Sequence, residues 1–203
     1  MKSRLCCLLL ISIFVAPQAT AAATVNYRGS CTVTFQVQKT MMKDFSGHAA
    51  CEPFDLTVTD NKISIPVIAV QVATMETGNS KRDREMRIMF EYQTFPRITA
   101  EIEDYTADQP LTTGGRIDQI PEELTFGLTI RDITQRITAT VTEPRIDSSV
   151  IEATLVFDLS LASFELDPPS FMGIVKVKDH LQIRANVFLD RNPASTTTPQ
   201  AQE

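Results

Sequence analysis

The chain has 203 residues, with 19 Lys plus Arg against 25 Asp plus Glu and a formal net charge of −6. That acidity disfavours binding along a phosphate backbone, which needs clustered cations, and it argues against docking on an anionic membrane surface. No apolar run comes near the roughly 20 residues that a spanning helix needs, and the length suits one domain with a sizeable core.

In chain order the first element is an export signal. Lys2 and Arg4 precede an apolar run from Leu5 to Val15, followed by Pro17 and small residues around Ala19–Ala21 and Ala21–Ala23. This is the pattern of a cleaved secretory signal peptide over residues 1–23, cut after about residue 21 or 23, and it predicts a periplasmic or secreted protein. Cys6 and Cys7 lack the small-residue context that precedes a lipid-modified cysteine and read as hydrophobic filler. Loss of Lys2 and Arg4 lowers Lys plus Arg from 19 to 17 and takes the net charge from −6 to −8. The remaining chain divides into a folded domain over 24–191 and a polar tail over 192–203, rich in Pro, Thr, Ser, Ala and Gln and expected to be disordered.

The first two strands predict a hairpin. Cys31, Val33, Phe35 and Val37 share one face of CTVTFQV, while Phe45, Gly47, Ala49 and Cys51 share one face of DFSGHAAC, with a turn near Thr40–Met42. Setting Cys31 against Cys51 also sets Val33 against Ala49, Phe35 against Gly47 and Val37 against Phe45, so large side chains meet small ones. An oxidising compartment then favours a Cys31–Cys51 disulfide over two buried thiols.

Six further runs alternate apolar with polar residues: KISIPVIAVQV, RITAEIE, ELTFGLTIR, RITATVT, VIEATLVFDLSL and HLQIRANVFL. Between the third and fourth strands, Thr77 to Tyr92 breaks the alternation. There Asn79 and Ser80 read as cap residues and Met86, Met89 and Phe90 fall at helical spacing, so a short helix is expected. Asp108 to Pro121, with Pro110, Gly114, Gly115 and Pro121, reads as a surface loop, and Leu166 to Ser170 as a second connection. One dry and one wet face per strand imply antiparallel pairing, and closure disposes of the edges. The expected fold is all-β, an eight-stranded antiparallel barrel with one short helix between strands 3 and 4; a sandwich is the alternative.

Three segments resemble the YceI-like family: VATMETGNSKRDREMRIMFEYQTFPRITAEI, LTFGLTIRDITQRITATVT and LSLASFELDPPSFMGIVKVKDHLQIRANVFL, together with KDFSGHA near the start. The similarity runs from about Thr24 to Asp190, with Asp132 where a glycine is common, Lys39 where many members carry histidine, and a shorter MKDFSG turn. The Lys39 and turn departures are expected to alter the polar contact at the pocket mouth. The resemblance implies a lipocalin-like barrel that binds a polyisoprenoid chain, with or without a polar or phosphate head, or a quinone-type lipid. Such a lipid is a ligand; no cofactor is implied.

Inward parity selects Phe35, Phe126, Leu128, Ile137, Leu155, Phe157 and Ile183 as candidate lipid contacts, against the alternative that they are plain core. Met86, Met89 and Phe90 would cap the barrel and touch the lipid, or simply plug its end. The run Lys81, Arg82, Asp83, Arg84, Glu85 and Arg87 reads as a solvated helix face in preference to a phosphate site. An enzyme is not expected: the only histidines are His48 and His180, no Gly-x-Ser-x-Gly elbow occurs, and no carboxylate pair stands out. No metal site is expected either, since His48 and Cys51 lack a second ligand pair. The expected function is an exported carrier or sequestering protein for an isoprenoid lipid, with no nucleic-acid partner and no stable membrane insertion. A protein-interaction barrel without cargo is the alternative, an enzyme acting on a lipid is the lesser one, and a homodimer is left open.

Overall fold

The two-residue period of the sequence becomes a sheet with one apolar face. In the computed structural model, which describes residues 24–39, 44–59, 62–102, 112–113, 116–168 and 177–191, strand β1 (Thr24–Lys39) buries Val25, Tyr27, Cys31, Phe35 and Val37. Its even-numbered residues are exposed or half-buried. The same alternation runs through β9 (Glu123–Ile130) and through the described part of β12 (Val177–Arg191), where Leu181, Ile183, Ala185 and Leu189 are buried.

The other elements, in order, are β2 (Phe45–Ala50), β3 (Phe54–Thr59), β4 (Lys62–Ser64), β5 (Ile68–Gln71), α1 (Ser80–Met89), β6 (Arg97–Glu101), β7 (Thr112–Thr113), β8 (Arg116–Ile117), β10 (Ile133–Ile146) and β11 (Val150–Ser160). The main sheet is antiparallel with the order β4-β3-β1-β12-β11-β10-β9-β6-β5, and β2 also pairs with β1. The sheet curls until β5, at its far end, meets β2 beside β1. Isolated bridges link Cys51 to Val70 and His48 to Glu76, so β5 and the residues after it meet the end of β2. The curl through β1, β12, β11, β10, β9, β6, β5 and β2 is that expected of the barrel, but β3 and β4 extend the sheet beyond β1, so among the described residues it has ten strands where eight were expected.

Several boundaries differ from the sequence reading. The run from Lys62 to Val72 is two strands, because Pro66 has no amide to give a ladder and interrupts it at Ile65–Val67. FDLTVT, not anticipated as a strand, is β3 and pairs with the early half of β1 from Gly29↔Phe54 to Thr24↔Thr59, which also extends β1 back to Thr24. The expected loop near residue 115 carries the small β7–β8 ladder. The hairpin register is as anticipated: Val33↔Ala49, Phe35↔Gly47 and Val37↔Phe45. Its turn near Thr40–Met42, the signal peptide and the polar tail lie outside the described residues.

Two apolar clusters fill the inner face. The smaller closes one end with Val25, Tyr27, Phe54, Leu56, Val58, Ile63, Ile117, Ile151 and Leu189. It is held partly by the Ile117 amide donating to the Tyr27 hydroxyl oxygen at 3.3 Å. The larger includes Phe35, Val37, Phe126, Leu128, Phe164 and Ile183 and surrounds a space that side chains do not fill.

Candidate functional site

That space is a cavity of about 500 Å³, within the range of small-molecule sites. Its walls are Val33, Phe35 and Val37 of β1, Ile98 and Ala100 of β6, Phe126, Leu128 and Ile130 of β9, Leu155, Phe157 and Leu159 of β11, and Leu181, Ile183 and Ala185 of β12. Phe126 and Phe157 meet edge to face, with centroids 5.5 Å apart and planes at 80°. They come from the strands on either side of β10, where Ala139 is fully buried. Ile137, paired with Phe126, is half-buried against the core but does not line the cavity. Inward parity alone therefore did not bring Ile137 to the cavity. The other nine candidates, Phe35, Met86, Met89, Phe90, Phe126, Leu128, Leu155, Phe157 and Ile183, all line it.

Helix α1 lies across the cavity as a lid. Asn79, in extended conformation, caps it by accepting from the amides of Lys81 and Arg82, each at 3.1 Å. No residue within the helix is fully buried; Met86 and Met89 are half-buried over the cavity, and Phe90 at the C-cap is the buried anchor. Polar groups gather at its N-terminal end. Thr77 donates to Asp83 from its amide at 2.9 Å and its hydroxyl at 2.6 Å, and Arg82 donates to the Thr77 hydroxyl at 3.2 Å and carbonyl at 3.0 Å. The Thr77 hydroxyl bond is the main cause that holds the Asp83 carboxyl below the ordinary carboxylate value; burial opposes it, and the Thr77 amide and the nearby Arg87 and Arg82 charges add to the lowering. The Arg82 guanidinium also lies 4.3 Å from the centroid of the Phe45 ring.

Thr77, Asn79, Lys81, Arg82 and Glu85 join the cavity lining, so one end of an otherwise apolar space carries polar and charged groups. The reading of the whole run Lys81–Arg87 as a solvated face is thus corrected at Lys81, Arg82 and Glu85, which join the cavity lining, while Arg84 is exposed. The signal was available in the helical period, because Arg82 is one turn before Met86. The contact expected around Lys39 falls outside the residues whose side chains are described.

Cys31 and Cys51 form a disulfide, with Cα atoms 5.1 Å apart, and both line the cavity. The bond staples β1 to the end of β2 where the seam to Val70 begins, beside the Cys51 amide donating to the Cys31 carbonyl at 2.9 Å. Glu52 reinforces the seam by accepting from Gln71 and Arg97, each at 2.9 Å. Neither histidine lines the cavity: His48 lies 3.7 Å from Glu76 at the seam and His180 3.7 Å from Asp179.

A family model described as the YceI-like domain matches residues 20–189. Among solved structures, Burkholderia cenocepacia BcnA superposes with a TM-score of 0.56 at 13% identity, over 78% of this chain and 95% of that one. A polyisoprenoid binding domain from Saccharophagus degradans implicated in plant cell wall breakdown superposes with a TM-score of 0.54 at 13% identity, over 81% of this chain and 98% of that one. No curated protein sequence matches significantly. At such identities the two structures establish a shared fold.

Proposed function

The chain belongs to the YceI-like family, and from that membership we propose that it is an exported protein that holds a polyisoprenoid or isoprenoid-quinone-like lipid inside its barrel, to sequester or carry it. The observation that carries this reading is the apolar cavity with a polar end at the lid. A long isoprenoid offers almost only apolar surface, whose burial is worth about 25 cal/mol per Å². A polar head left at Thr77, Asn79 and Arg82 would meet hydrogen-bond partners there instead of being stranded in hydrocarbon. The fold shared with a domain named for binding polyisoprenoids agrees with the cargo class. Export, to the periplasm or outside the cell, is the part of the proposal supported by the leader pattern over residues 1–23. The lipid is cargo, and no catalytic step is assigned to the protein.

Mass spectrometry of organic extracts from natively purified protein tests the proposal. A polyprenyl or isoprenoid-quinone species in stoichiometric amount is expected. Repeatedly empty barrels would overturn it in favour of a barrel that binds a protein partner, and turnover of the extracted lipid by the protein would overturn it in favour of an enzyme.

A further inference from the structure

Charge is unevenly placed on this acidic molecule. Residues 24–203 carry 17 Lys plus Arg against 25 Asp plus Glu, yet the ten residues of α1 include Lys81, Arg82, Arg84 and Arg87 against only Asp83 and Glu85. Subtracting the helix leaves 13 basic and 23 acidic residues elsewhere, so a helix of net +2 sits on a body of net −10.

The two faces of α1 differ as sharply. At about 100° per residue, Met86 and Met89 point to the cavity side and Ile88 stands nearly opposite Met86. Ile88 is 65% exposed, and Tyr92, in the turn just beyond the helix C-cap with its amide bonded to the Arg87 carbonyl, is 37% exposed. Arg84 precedes Ile88 by one turn and has no ion-pair partner among the described residues. An apolar tip and an amphipathic aromatic next to the unpaired Arg84 suit the head-group layer of a bilayer: isoleucine and tyrosine enter the interface while the guanidinium meets phosphate. The acidic bulk does not forbid this contact, because charges more than about 10 Å from the surface are largely screened at moderate salt.

We infer that the outer face of α1, centred on Arg84, Ile88 and Tyr92, docks the protein reversibly on a bilayer containing anionic phospholipid, with the cavity lid against the membrane. Its purpose, exchange of cargo through the α1 end, rests on the carrier reading; the docking itself does not. Flotation with vesicles of phosphatidylglycerol and phosphatidylcholine, against vesicles of phosphatidylcholine alone, tests it at low and high salt. The wild-type protein should float with the anionic vesicles only and detach as salt rises. Arg84→Glu and the double variant Ile88→Asp with Tyr92→Asp should each lower the bound fraction by about tenfold, with an unchanged β-rich circular dichroism spectrum, since these side chains are at the surface. Wild-type protein that fails to float, or variants that float equally well, would overturn the docking. Extraction of cargo from the same samples separates the two readings: wild-type protein that floats but is empty supports docking while removing the carrier reading, and loaded protein that never floats does the reverse.

Discussion

At Gly47 strand β2 has no side chain because the Phe35 ring occupies the space, and a Cβ built there would also sit 2.8 Å from the Glu76 carbonyl oxygen. That carbonyl accepts from the His48 amide across the barrel seam, so Gly47→Ala should loosen ring packing and seam together. A loss of about 1–3 kcal/mol is expected from denaturant midpoints. Gly127→Ala is the control, as its Cβ would meet nothing nearer than Thr134 at 3.5 Å. A wild-type midpoint for Gly47→Ala would show that the seam tolerates the added methyl. Asp179 gives a pH prediction. Ser160 donates to its carboxylate at 2.7 Å and the Ala162 amide at 2.7 Å, and these bonds hold its carboxyl below the ordinary value. A carboxyl lowered by folding adds stability above its unfolded value and loses it as pH falls through the folded one. Melting temperatures of wild type and Asp179→Asn, followed from about pH 6 to pH 2.5, should therefore converge on acidification; a constant gap would contradict the assignment.

Among the elements, α1 tests how far local signals decide structure. Its cap was readable because Asn79 has a side-chain oxygen that satisfies the free amides of Lys81 and Arg82. Asn79→Ala should cost about 1 kcal/mol and speed hydrogen exchange at those amides and through the lid, while exchange in the β9–β10 hairpin stays unchanged. Equal acceleration in both would mean that the helix opens only with the whole barrel. The hairpin of β1 and β2 was equally readable, since only one register pairs Phe35 with a residue that leaves room for its ring. FDLTVT was harder: it is a six-residue strand whose partner is the far half of an already long β1, a long-range contact that no local signal announces. The break at Pro66 was visible but outweighed by the alternation on either side. The mixed charges of α1 were read as one face, when the helix separates Arg82 at the mouth from Arg84 in solvent.

For the molecule as a whole, alternation tells which side chains face inward, but not where the interior stays empty. One end is filled by the cluster around Tyr27, Phe54 and Val58, whereas the other leaves about 500 Å³ beneath Met86 and Met89, and both ends carry the same apolar pattern. Ile137 shows the limit most clearly, inward by parity and packed against the core yet not part of the cavity lining. If the proposed lipid occupies this space, its length should depend on the free volume, and added apolar bulk should shorten it without making the wall polar. Met89→Trp adds bulk under the lid and Phe126→Trp in the β9 wall; overpacking should cost about 1–3 kcal/mol, leaving a folded β-rich protein. Thr129→Trp is the control, because Thr129 lies on the opposite face of β9, its hydroxyl 2.8 Å from that of Thr134. Mass spectrometry should find shorter chains, or fewer loaded molecules, in the two cavity variants, and wild-type cargo in the control. The two outcomes also separate lid from wall: a lid that yields would give Met89→Trp the smaller effect, whereas a rigid lid would make the variants alike. Three variants carrying the same lipid in the same amount would place any bound lipid outside the barrel.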